Sequence, residues 1–283
     1  LLLPILMSCQ NAAVRQKEES FTRKVFRSTT LTTFQGTTEI PGTKTKIWYQ
    51  ESQQANGDII AFSRSFLNDA SIGYHKKSLP NELAYRNTIT AEFAQDKVLQ
   101  VDGFGKFFKK SLPNLNLPKA FESELKLNYS PRHQRKLFAL WRKTSLLPVG
   151  AYVPKQNITQ DLKSQLADKL WQVDSVVVDE VQKVEDRSCI KWDIFYKMKL
   201  PQNQYLFEQM GAADTTAKKE FVDFKWKSAT AKGRKSVYTD LETGRLCREV
   251  NWQEQHNIVA HKESGEAKEF ASNLFTEVLY TYE

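Results

Sequence analysis

Cysteine is scarce in this chain, with three in 283 residues. No C-x-x-C pair occurs, and no G-x-S-x-G, P-loop or H-E-x-x-H motif, so the common signatures of redox, hydrolytic, nucleotide and zinc chemistry are missing. Eleven glycines and nine prolines exclude collagen-like and low-complexity classes. No run of eighteen apolar residues exists, which excludes a membrane-spanning helix. The alternation of strands with helices that a parallel sheet requires is also lacking.

What is present is a folded globular composition, 40% apolar and 26% charged with a net charge of +8. Runs rich in Thr, Val, Phe and Tyr recur at hairpin spacing. Strands are expected at 23–34, 43–51, 58–66, 87–93, 97–101, 121–129, 135–141, 175–184, 188–200, 221–227, 236–241 and 245–252. Asn56-Gly57 and Glu242-Thr243-Gly244 mark hairpin turns. The strongest signal puts Ile190, Trp192, Ile194, Tyr196, Met198 and Leu200 on one strand face. On the strand around Cys247, Leu246, Val250 and Trp252 share the apolar face. The tail alternates Thr276, Val278, Tyr280, Tyr282. The clearest helix begins at Asn157 and carries Leu162, Leu166 and Leu170 as a stripe; weaker ones fall near 81–85 and 266–275. The expected fold is β-rich α+β: a long, curved antiparallel sheet or open half-barrel with one or two helices packed on it. An all-β sandwich is the alternative.

The chain opens Leu1-Leu2-Leu3-Pro4-Ile5-Leu6-Met7-Ser8-Cys9. Leu6-Met7-Ser8-Cys9 resembles the lipobox of bacterial lipoproteins, in which an aliphatic residue, a tolerated residue and a small residue precede a lipidated Cys. The resemblance implies that residues 1–8 are a signal-peptide remnant and that Cys9 carries acyl chains. Residues 9–20 are then a polar tether. Residues 21–283 are a β-rich body, divisible into two lobes joined near 145–158. Gln10, not Asp, follows the Cys, which implies the outer membrane of the cell envelope. Export brings oxidising conditions, so Cys189 and Cys247 are expected to form a disulfide, each pointing away from the apolar face of its strand.

Candidate chemistry is thin. His75, His133, His256 and His261 are scattered, and pairs such as Glu122/Glu124 or Asp179/Glu180 are expected by chance among 33 acidic residues. Asp102-Gly103-Phe104-Gly105-Lys106-Phe107-Phe108 faintly resembles the RNP1 run of RRM domains, but its leading residue is acidic and the flanking order is wrong, so nucleic acid is not expected. Phe104, Lys106, Phe107, Phe108, Lys109 and Lys110 form a candidate membrane-surface loop. The competing reading sends the phenylalanines into the core. No cofactor or metal is expected. The function expected first is non-enzymatic binding of a lipid-like amphiphile or another envelope component by a membrane-anchored lipoprotein, by fold-level analogy with the half-barrels of Lol-type and mycobacterial lipid carriers. Assembly with other envelope proteins comes second and hydrolysis of an envelope polymer third.

Overall fold

A computed structural model describes residues 20–35, 38–68, 88–94, 97–105, 107–115, 119–145, 171–199 and 224–283. The described strands make one open antiparallel sheet of ten. In chain order they are β1 (Phe21–Gln35), β2 (Thr38–Asn56), β3 (Ile59–Asn68), β4 (Ile89–Ala94), β5 (Lys97–Asp102), β6 (Trp171–Val184), β7 (Arg187–Lys199), β8 (Phe224–Asp240), β9 (Leu246–His261) and β10 (Ala267–Tyr282). Their order across the sheet is β5-β4-β3-β2-β1-β10-β9-β8-β7-β6. Every neighbour is also a chain neighbour except at the centre, where β1 and β10 pair from Arg23↔Tyr282 to Phe34↔Ala271. The first and last strands therefore lock two meanders into one sheet, and β5 and β6 are its edges.

The β-rich expectation is borne out, and so are most of the strands. Gly57 follows Asn56 with φ of 59° and turns β2 into β3. Gly244, with φ of 70°, turns β8 into β9. There Asp240 accepts the Glu242 amide at 2.8 Å and the Thr243 amide at 3.3 Å, holding the turn closed. On β7, Ile190, Trp192, Ile194 and Tyr196 are buried on the expected face. They join Val173, Val176 and Val178 of β6, Val237 of β8, Tyr280 of β10, Val25 of β1 and Tyr49 of β2 in one core cluster.

Four expectations change. Residues 121–129 and 135–141 are helices, not strands: α1 spans Lys119–Asn128 and α2 spans Pro131–Ser145. Ser130 caps α2 by accepting the His133 amide at 3.3 Å, and Pro131 takes the first helical position. The weak helix at 266–275 is instead the start of β10. The described parts of the runs 221–227 and 236–241 that are strand, 224–227 and 236–240, belong to one strand, β8. The apolar face expected on β9 is split by a bulge, because Thr239 pairs with Leu246 while Tyr238 pairs with Arg248. Leu246 therefore faces the core, whereas Val250 packs on the opposite side. The helices expected near 81–85 and from Asn157, and nearly all of the lobe junction, lie outside the described residues, as does Cys9.

Helix α2 lies on the inner face over β3 to β5. Phe138 meets Phe62 at 6.0 Å and Phe93 at 6.4 Å between ring centroids. Trp141 meets Phe62 at 5.4 Å. This second core cluster also takes Phe104, Phe107, Leu125 and Tyr129. Among the described residues, no helix is long and apolar enough to cross a membrane.

Candidate functional site

A cavity of about 350 Å³ opens on the inner face where α2 leans over the centre of the sheet. Val25, Leu137, Leu140, Trp141, Leu274 and Val278 supply apolar wall, and Arg27, Glu51, Arg64, Lys235, Glu249 and Asn251 supply charge and polarity. Its volume is at the small end of ligand sites, which run from about 300 to 1,000 Å³. A second depression, of about 360 Å³, lies toward the β4–β5 edge and is lined largely by polar residues such as Ser52, Gln54, Thr90, Glu92 and Asp102.

The polar floor is assembled by register. Arg23 on β1 stands opposite Glu51 on β2, and Glu51 stands opposite Arg64 on β3. Glu51 is thus held between two guanidiniums. Arg23 Nε donates to Glu51 Oε2 at 2.8 Å, and Arg64 Nε donates to Glu51 Oε1 at 2.6 Å. The side chains of Arg23 and Glu51 are 1% and 0% exposed, while Arg64 keeps 23%. Arg23 also donates to Tyr282 Oη at 2.8 Å and lies 4.3 Å over the Tyr280 ring. Burial pushes the Glu51 carboxyl up, but Arg64 and Arg23 reverse this and hold it below the usual carboxylate range. Across β10, Tyr280 donates to Glu249 Oε2 at 3.1 Å, and Lys235 pairs with Glu249 Oε1 at 3.0 Å. Tyr196 on β7 donates to Asn251 Oδ1 at 2.8 Å. It reaches β9 by crossing Gly233 of β8, where an added Cβ would stand 2.7 Å from the Tyr196 hydroxyl and 2.5 Å from the Trp252 carbonyl oxygen.

No protein-family model matches the chain, and no curated protein does. Among solved structures, one described by the lipid–protein interactions of lipovitellin is similar at a TM-score of 0.42 and 6% identity. That likeness covers 94% of this chain, which spans about a quarter (25%) of the lipovitellin chain. Salmonella typhi OmpF in complex with daunomycin scores 0.22 at 8% identity, covering 93% of this chain and 98% of that one. Neither score reaches the level of a shared fold.

The residues singled out from sequence lie elsewhere. Cys189 and Cys247 are free thiols, not a disulfide. Cys189 pairs with Asp240 on β8, so a strand separates it from Cys247 on β9. The thiols do touch by a hydrogen bond, in a small outer-face cluster with Tyr238. The candidate membrane loop is also corrected. Phe104 and Phe107 are buried, with ring centroids 5.2 and 5.4 Å from Tyr129, so they cannot seat in a headgroup layer. Phe108 packs against the same cluster, Lys109 is exposed, Lys106 lies outside the described residues, and Lys110 belongs to the π-helical turn Phe107–Ser111. Gly103, with φ of 110°, makes the turn into this segment against the Thr88 carbonyl. His256 sits between Glu254 at 3.0 Å and Glu269 at 3.3 Å. No cluster of metal-ligating side chains occurs among the described residues.

Sequence reasoning passed over Arg23, Glu51, Arg64 and Glu249. The signal was a charged residue in phase with an apolar strand face: Arg23 with Val25, Glu51 with Tyr49, Arg64 with Phe62. It becomes informative only when facing strands are aligned.

The buried hydroxyls and thiol make stability sensitive to alkali. Burial raises Cys189 from 9.0 to about 12, helped by its hydrogen bond to Cys247, and raises Tyr196 from 10.0 to about 12 against the bond to Asn251. Both groups have a higher pKa folded than unfolded. Their contribution is therefore complete below about pH 9 and is lost as pH climbs toward 12. Urea midpoints should hold between about pH 7 and 8.5 and fall progressively above about pH 9.5. The fall should be smaller in Tyr196→Phe. A flat profile to about pH 11 would contradict the burial of these groups.

Proposed function

We propose that the protein is an envelope-anchored lipoprotein that holds a lipid-like amphiphile and performs no chemistry on it. The cavity under α2, apolar on its walls and polar on its floor, is the observation that carries this reading. In it the sheet curls as an open half-barrel, α2 covers part of the hollow, and the fold is α+β. Cys9 carries the acyl anchor, and the tether to residue 20 leaves the body free of the membrane surface. Hydrolysis by paired carboxyls would need one able to give up and regain a proton at neutral pH. Among the described residues Glu51 and Glu249 are the carboxylates lining the cavity, and each is tied to a cation.

Two measurements test the proposal. Intact mass spectrometry of protein exported by a bacterial host should find Cys9 acylated, and Cys9→Ser should move the protein from the membrane to the soluble fraction. Organic extraction of the purified Cys9→Ser protein should release an acyl-chain compound in near-stoichiometric amount. An unmodified Cys9 removes the anchor. An empty protein that also ignores added single-chain amphiphiles removes the ligand.

A second reading, assembly with another envelope protein, is favoured by one feature of the outer face. Phe195, Trp252 and Phe275 are 37%, 39% and 40% exposed. Register sets Phe195 beside Arg234, Arg234 beside Trp252, and Trp252 beside Phe275, so they form one row across four strands. A photoreactive side chain at position 252 should then crosslink one defined partner in intact cells, where one at exposed Ile59 does not. Equal crosslinking from both sites would end this reading.

A further inference from the structure

The floor of the cavity is not electrically neutral. Glu51 balances one of Arg23 and Arg64, and Glu249 balances Lys235, which leaves one guanidinium charge over. The excess is reachable at Arg64, the member of the triad that keeps exposure and lines the cavity. Arg27 adds a second positive charge. It shares a face of β1 with Arg23 and Val25, lines the cavity and is exposed to solvent. Among the described residues no carboxylate pairs with it. Both carboxylates that line the cavity are already engaged: Glu51 by two arginines, Glu249 by Lys235 and Tyr280. Among the described residues both of these carboxylates are already ion-paired, so a cationic head would meet two uncompensated positive charges.

We propose, building on the amphiphile-binding reading above, that the cavity selects a single-chain amphiphile with an anionic head, a carboxylate or a phosphate monoester. The chain lies against Val25, Leu140, Trp141, Leu274 and Val278. The head lies between Arg64 on the floor and Arg27 at the rim. Arginine suits both heads, because its planar fork donates two parallel hydrogen bonds to either. Burial beneath α2 lowers local screening, so the charge preference is larger than the same residues would give on an open surface.

Calorimetric titration of the full chain carrying Cys9→Ser, so that no acyl anchor competes, distinguishes the outcomes. The probes share one chain length: dodecanoate, dodecyl phosphate, dodecanol and dodecylamine. Both anions should bind about tenfold or more tightly than dodecanol, with dodecylamine weakest, and the advantage should shrink as salt is raised. Arg27→Gln, at an exposed position, should cut the advantage of the anions over dodecanol about three- to tenfold. Dodecanol or dodecylamine matching the anions would overturn the charge preference while leaving amphiphile binding intact. If none of the four binds, the proposed function itself falls.

Discussion

Glu51→Gln should be among the most damaging single changes in the protein, costing about 3–5 kcal/mol. The carboxylate is fully buried between Arg23 and Arg64 at hydrogen-bonding distance from both. Gln keeps the volume and one acceptor but removes the charge, leaving two guanidiniums facing each other, one of them at 1% exposure. Neither arginine can shed its proton, so the repulsion is relieved only by moving β1 and β3 apart or admitting water. The result should be a large fall in urea midpoint, partly recovered by Arg64→Met in the same chain. A loss below about 1 kcal/mol would mean that the triad is already solvated. The companion variant is more informative. Replacing Arg23, Glu51 and Arg64 together by Met, Leu and Met should be neutral or stabilising by about 1–4 kcal/mol, since three desolvated charges are a poor device for stability. A triad that adds little to stability as a whole, yet leaves one positive charge at the cavity, is accounted for by what it binds. The triple variant should fold and keep dodecanol binding but lose most of its preference for anions.

Legibility in the sequence followed the local strength of each pattern. β7 was readable because five alternating apolar residues, Ile190 to Met198, leave one register possible (Leu200, the sixth expected, lies outside the described residues), and the turns at Gly57 and Gly244 because only glycine adopts their backbone cheaply. The two helices were hidden for different reasons. Along α1 and into the turn that follows it, Phe121, Leu125 and Tyr129 recur every four residues, which satisfies a strand period of two as well as a helical turn. In α2 the buried stripe is Gln134, Phe138 and Arg142, so two of its three members look like solvent residues. The bulge at Cys247 has no local signature. It reverses β9 so that Glu249, Asn251 and Gln253 face inward and Trp252 outward, the opposite of what hydrophobicity dictates. The polar floor of the cavity depends on that reversal and on contacts between residues 28 or more apart, such as Arg23 with Glu51 and Tyr280 with Glu249. The candidate site was therefore least visible where it is most distinctive.

Phe62→Ala should cost about as much as loss of Glu51, about 3–5 kcal/mol, by a different route. Phe62 is the side chain of β3 on which α2 rests. Its ring meets Trp141 at 5.4 Å, Phe138 at 6.0 Å and Phe93 at 6.4 Å, and the Arg64 guanidinium lies 5.6 Å from its centroid. Truncation leaves a void bounded by three rings and a cation, none of which can collapse into it without pulling another contact apart. Because Gln134 and Arg142 occupy much of the buried stripe, α2 has few apolar anchors with which to compensate. The loss should thus be uneven. Hydrogen exchange over 131–145 should accelerate more than over β7 to β9, and the cavity should open on the α2 side with weaker amphiphile binding. Leu137→Ala, at a cavity-lining but half-exposed position of the same helix, is the control for stability and should cost under about 1 kcal/mol. Uniform acceleration of exchange across sheet and helix would show that α2 is not a separable cover. A loss below about 1 kcal/mol would show that Phe62 is not its anchor.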